Sequence, residues 1–231
     1  ASYRLIYRAM MTAGAVLAVL HALLAFTPLF DLVIVPLLDP PPEIIEPARL
    51  GLRIMLPFTW SIAYRRFNQG LLIRFGQSVA VTIGTAFRLI ALVSAMGVCL
   101  LIGNLPGIVI ATCGVVTGVM VEGAYAGLRA HTIVRGRLRR AEPVIPPLNL
   151  SGFVAFYVPL ALTSLLALIV QPIGSAAISR MPNALEALAV WPVVTGLLFL
   201  MRCLGFAYNE VVVALMDRPG ALAPLRRFTL W

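Results

Sequence analysis

From Ser78 to Ile102 the chain carries one charged side chain, Arg88, and otherwise offers nothing but apolar and small residues. A hydrocarbon core about 30 Å thick is crossed by about 20 such residues as a helix. With no water to satisfy the backbone, a crossing segment of this kind has to be helical. Five further stretches follow the same logic: Ala9 to Phe30, Ala48 to Tyr64, Ile108 to Ala130, Gly152 to Ile178 and Leu185 to Met216. Only 12% of the 231 residues are charged and 61% are apolar, where a soluble domain has about a quarter charged. The pattern predicts an all-α, polytopic membrane protein with six transmembrane helices.

The polar residues between these stretches give the topology. All 18 basic residues are arginine, and arginine accumulates in cytoplasmic loops. Six alternating spans put Arg4, Arg8, Arg65, Arg66, Arg74, Arg129, Arg135, Arg137, Arg139, Arg140, Arg218, Arg226 and Arg227 on one side. Arg49 and Arg180 fall on the other, and Arg53, Arg88 and Arg202 fall within spans. The bias predicts an amino terminus inside, in a multi-pass cell-membrane protein of the prokaryotic inner-membrane kind. The net charge of +9 is thereby read as topology and not as nucleic-acid binding. Arg4 and Arg8 before the first apolar run also fit a signal peptide, but five spans follow it, so a span is the reading adopted. The segment DLVIVPLLDPPPEIIEP has no basic residue and reads as a non-cytoplasmic loop. The proline-rich, basic segment at 141–150 reads as a cytoplasmic linker between a portion at 1–140 with four spans and a portion at 151–231 with two. No internal repeat relates the two portions.

Enzyme chemistry finds no footing. There is no HExxH, no glycine-rich phosphate loop with lysine, and no Ser/His/Asp set. Cys99, Cys113 and Cys203 lie in apolar runs without metal spacing, and His21 and His131 stand apart. The expectation is a non-enzyme without cofactor or metal.

Arg88 is the most expensive residue. It lies about 15 Å into its helix, near mid-membrane, where an arginine costs at least ~2.5 kcal/mol on insertion scales and normally meets a cavity or a partner. Arg202 and Arg53 sit where they can snorkel towards the nearer interface. Glu122, with Tyr125 and Arg129 on its face, fits either a coupling-ion site or an arginine partner, and pairing is the simpler reading. Gly114-x-x-x-Gly118 and Gly123-x-x-x-Gly127 predict close helix approach within the bundle. Asn68, Gln69 and Gly70 read as a cytoplasmic turn, with Gly70 supplying the permissive backbone. Asn209 and Glu210, at the inner end of the last span, read as a rim or a gate.

The stretch ARLGLRIMLPFTWSIAYRRFNQGLLIRFGQS resembles the fourth-helix region of the superfamily of multidrug, oligosaccharidyl-lipid and polysaccharide exporters. That superfamily includes the multidrug and toxin extrusion (MATE) family. Within it the sequence most resembles the progressive ankylosis protein group, with bacterial polysaccharide flippases next. Arg53, Pro57, the Gln69-Gly70 pair, Arg88 and Glu122 carry the likeness. FYVPLALTSLLALIVQPIGSAAISR resembles the opening helix of a lobe, through Pro159, Pro172, Ser179 and Arg180. The resemblance implies a partial MATE-like two-lobe transporter, holding helices three to six of one lobe and one and two of the next. Its partners would be the bilayer and the missing helices of the same chain. It implies alternating access to a cavity bordered by Arg53, Pro57, Arg88 and Arg202, with Na+ or H+ as coupling ion and Glu122, Asn209 and Glu210 as coupling or gate candidates. The arginines favour a small anionic or lipid-linked substrate. The alternatives are a six-helix permease component of a multi-subunit transporter and a cation-coupled multidrug efflux protein.

Overall fold

The computed structural model describes residues 2–138, 140, 148–215, 220 and 222–229, with the side chains at 204, 206, 207, 209, 210, 213–215, 228 and 229 outside that description. Among the described residues all regular structure is helical. The helices are α1 (Ser2–Phe26), α2 (Val35–Leu38), α3 (Pro42–Ile54), α4 (Leu56–Arg74), α5 (Ser78–Ile102), α6 (Gly107–Ile133), α7 (Leu150–Ile178), α8 (Ala184–Leu215) and α9 (Leu222–Thr229). Wider π-helical turns lie at Phe30–Ile34 and at Val134–Leu138, where α6 is prolonged. Among the described residues five helices are long and apolar enough to cross a membrane: α1, α5, α6 with its extension, α7, and α8 as far as Cys203. The chain is an all-α membrane protein.

The second expected span is helical but differs from the others. Pro57 has no N–H to offer the Arg53 carbonyl, and a proline ring crowds that carbonyl as well. The helix is accordingly interrupted at Met55 and divided into α3 and α4. Arg49, Arg53, Arg65 and Arg66 keep it below the apolarity of the other five. α4 is sheltered instead, packed on α1 along one side and α6 along the other. The interruption is held from outside. His21 of α1 places Nε2 at 3.0 Å from the Leu52 carbonyl and Nδ1 at 2.6 Å from the Thr59 hydroxyl. A carbonyl only accepts, so Nε2 donates to it; in the neutral ring Nδ1 then accepts from Thr59. His21, unaccompanied in sequence, thus ties α1 to both halves of the kink. Cross-helix hydrogen bonds in membranes average about 0.6 kcal/mol. His21→Ala should therefore lower thermal stability in detergent by about 1 kcal/mol, and Thr59→Val by less.

Gln69 and Gly70 correct the sequence reading. They do not form a turn: α4 runs through them to Arg74. The turn comes later, at Phe75-Gly76-Gln77, where Gly76 has φ 73° and the Gln77 N–H bonds the Leu72 carbonyl at 2.8 Å. An unbroken buried stripe explains the continuation. Arg65, Asn68, Gln69 and Leu72 are all buried, at the i, i+3, i+4, i+7 spacing of one helix face.

α6 is the central element, contacting α3, α4 and α5. Its two glycine pairs serve different neighbours. A Cβ at Gly114 would come within 2.5 Å of Met96 Cγ, and one at Gly118 within 2.9 Å of the Arg88 carbonyl oxygen, so this pair admits α5. A Cβ at Gly127 would run into the Tyr64 hydroxyl, so this glycine admits α4; one at Gly123 would make only ordinary contact, 3.8 Å from Arg65 Cβ. The expected close packing within one bundle is observed.

The described chain forms two compact units, Ala1–Ile173 and Gly174–Trp231. The expected linker at 141–150 lies largely outside the described residues. In the second unit Gly174 packs on the Trp191 indole, and the Tyr208 hydroxyl donates to the Leu225 carbonyl at 3.0 Å.

Candidate functional site

The glycine notches draw α4 and α5 onto α6 at one level, and there the three helices present polar side chains to each other. Glu122 of α6 has only 1% of its side chain exposed. Its Oε2 forms an ion pair and hydrogen bond with Arg65 Nη1 of α4, itself 7% exposed. Gln69, one turn further along α4, donates from Nε2 to Oε1 at 2.9 Å. Thr85 of α5 has its hydroxyl 3.2 Å from the same oxygen and 3.2 Å from the Val81 carbonyl, so its one proton is shared between them. Arg88 completes the set, with Nε 3.7 Å from Oε2.

One carboxylate therefore faces two guanidinium groups, and the cluster carries one formal positive charge in excess. The two arginines are not equivalent. Arg65 is enclosed, and among the described residues its Nε has no hydrogen-bond acceptor. Arg88 is 34% exposed and holds Glu122 by the longer contact. In a medium of low dielectric the excess charge acts strongly, and Arg88 is the group through which it is reached. Glu122 is thus a partner of arginine, the simpler of its two readings.

The remaining candidates are distributed differently. Arg53 donates from Nε to the Ala25 carbonyl at 3.0 Å and lies 5.6 Å from the Phe26 ring centroid. It closes the carbonyl end of α1, a favourable place for a cation, and stands apart from the Glu122 cluster. Pro57 is exposed in the first turn of α4 and acts through the kink. Nearby, Arg49 pairs with Asp31, lies 3.7 Å from Glu46, and sits 5.2 Å from the Phe30 ring centroid. Arg202 is exposed on α8 in the second unit. Asn209 and Glu210 belong to the same helix, but their side chains lie outside the described set.

Three members of the cluster escape the sequence reading, Gln69 because it reads there as part of a turn. Arg65 sorts there with the cytoplasmic loop arginines, with no partner assigned; the structure buries it inside the bundle, about 13 Å before the Arg74 end of its helix. Its signal was the 65-68-69-72 spacing, which sets it on the face of Leu72 and about 100° round the helix from Arg66. Thr85 gave no signal, since a threonine in a membrane helix satisfies itself against its own backbone.

Comparison with family models, with curated proteins and with solved structures finds no match to this chain.

Proposed function

We propose that this chain is the membrane-embedded part of a secondary transporter or flippase that moves an anionic or amphipathic substrate by alternating access. The observation that carries the proposal is the buried cluster of two arginines and one carboxylate shared by α4, α5 and α6. Charged side chains at membrane depth are rare and mark substrate or ion pathways. An anion that pairs with Arg88 replaces its long contact to Glu122 and leaves the enclosed Arg65–Glu122 pair intact. Substrate and carboxylate would then alternate as the counter-ion of Arg88, and each arrangement favours its own placement of α5. A substrate shifts a conformational equilibrium only by such differential contact.

In this proposal the kinked α3–α4 pair serves as a sixth span. The portions 1–140 and 151–231 belong to two MATE-like lobes, and the amino terminus lies inside. A coupling Na+ or H+ is assigned elsewhere than Glu122, where two arginines already supply positive charge.

The test is flux through proteoliposomes holding the full-length protein, read with a fluorescent anionic phospholipid and with a small fluorescent organic anion. Arg88→Gln should lower the transported anion's rate by about tenfold or more, the worth of one charged contact. Arg88→Lys should retain part of it. Unchanged flux in a folded Arg88→Gln protein would sink the proposal.

A further inference from the structure

A second site lies at the arginine-rich end of the first unit, away from the Glu122 cluster. A cavity of about 760 Å³ opens there between α1, α4 and the start of α7. Ligand-binding pockets are commonly about 300–1,000 Å³. Aromatic rings form two of its walls. On one, Tyr3 and Phe67 lie with centroids 5.5 Å apart; on the other, Phe153 and Tyr157 stack at 5.3 Å. Tyrosine is enriched at the level of lipid headgroups, where its ring sits in apolar matter and its hydroxyl in water. Arg66 and Arg74 also line the cavity, both exposed, and no acidic side chain does among the described residues.

The floor between those arginines is Gly70. Arg66, Gly70 and Arg74 follow at i, i+4 and i+8, along one face of α4. A Cβ at Gly70 would meet nothing within 4 Å, in contrast with Gly114, Gly118 and Gly127 of α6. No packing demand explains a residue that costs about 1 kcal/mol in a helix interior. The bare backbone instead leaves the cavity open between two cations.

We infer that this cavity binds an anionic phospholipid, with its phosphate held between Arg66 and Arg74 and an acyl chain laid over Gly70 against the aromatic walls. Charge complementarity selects the anionic headgroup, and the apolar floor and walls select a lipid over a free anion. Arg137 supports the mouth: its Nη1 donates to the carbonyl of Phe75, a lining residue, at 3.1 Å. The inference does not depend on transport.

The experiment is native mass spectrometry of the full chain in neutral detergent, with phosphatidylglycerol or phosphatidylcholine added in equal amounts. Phosphatidylglycerol should be retained at least about tenfold better, as two arginines near a headgroup provide. Arg66→Gln with Arg74→Gln should abolish that preference. Gly70→Leu should remove lipid retention while leaving the melting temperature unchanged or raised, because its side chain enters open space and improves the helix. Equal retention of the two lipids would overturn the inference, as would undiminished phosphatidylglycerol binding in Gly70→Leu. Displacement of the lipid by millimolar inorganic phosphate would also overturn it, by marking a free-anion site. None of these outcomes bears on flux through Arg88.

Discussion

Glu122→Ala should destabilise the bundle by about 3–5 kcal/mol, the usual result of removing one partner of a buried ion pair. Arg65 is enclosed by α4 and α6, so the variant leaves a guanidinium in apolar surroundings and Gln69 deprived of its acceptor, while Thr85 keeps the Val81 carbonyl. Arg88, 3.7 Å from the carboxylate, adds a second cation that then lacks its counter-charge. Glu122→Gln separates the contributions. It keeps an amide oxygen for Gln69 and Thr85 but removes the charge and turns an NH2 donor towards Arg65, so it should fall between alanine and the native protein. The double variant Arg65→Leu with Glu122→Leu should recover most of the loss, because replacing a whole buried pair by apolar residues is often neutral. Thermal unfolding in detergent across the four proteins of that double-mutant cycle gives the coupling directly. If Glu122→Ala unfolds at the native temperature, the pair does not hold the bundle.

The sequence shows the membrane class and most of the helices plainly, because long apolar runs between arginine-rich and proline-rich segments admit few other structures. GNLPG between Ile102 and Ile108 is one case: α5 ends at Ile102, α6 begins at Gly107, and Gly103 and Asn104 take positive φ in between. Where polar residues interrupt the apolar pattern, the sequence alone is ambiguous between leaving the membrane and turning inward. Arg65-Arg66 is the clearest instance. Adjacent on a helix, the two point about 100° apart, and the structure sends Arg65 into the bundle and Arg66 out. A count of charges by loop assigns both to the same side. The Glu122 cluster suffers from the same limit, since its members lie on three helices and only α6 glycine packing brings them together. Glu122 and Arg88 are conspicuous as single charges in apolar runs. Arg65, Gln69 and Thr85 become legible only when the helices are seen side by side.

That dependence on close approach can itself be tested, at Gly118. A Cβ there would lie 2.9 Å from the Arg88 carbonyl oxygen, 3.1 Å from Arg88 Cγ and 3.2 Å from Leu92 Cβ. The carbonyl belongs to the backbone of α5 and has no freedom to rotate aside, so a larger residue must push the two helices apart. Overpacking of this kind typically costs about 1–3 kcal/mol, and Gly118→Val should sit at the upper end of that range. Gly97→Val is the control. It introduces the same side chain into a membrane helix, but a Cβ at Gly97 meets nothing within 4 Å, so its effect should be close to the small change in helix propensity. Unfolding temperatures in detergent should therefore separate the two variants clearly, and equal temperatures would mean that α5 is not held against α6 by this notch. The same substitution acts on the site, because the residue it displaces is Arg88. Moving α5 outward lengthens a contact to Glu122 that is already 3.7 Å, while Arg65, on α4, keeps its own. Gly118→Val should then resemble Arg88→Gln in flux and Gly97→Val should not, which ties the position of the half-buried cation to a helix spacing set by one missing side chain.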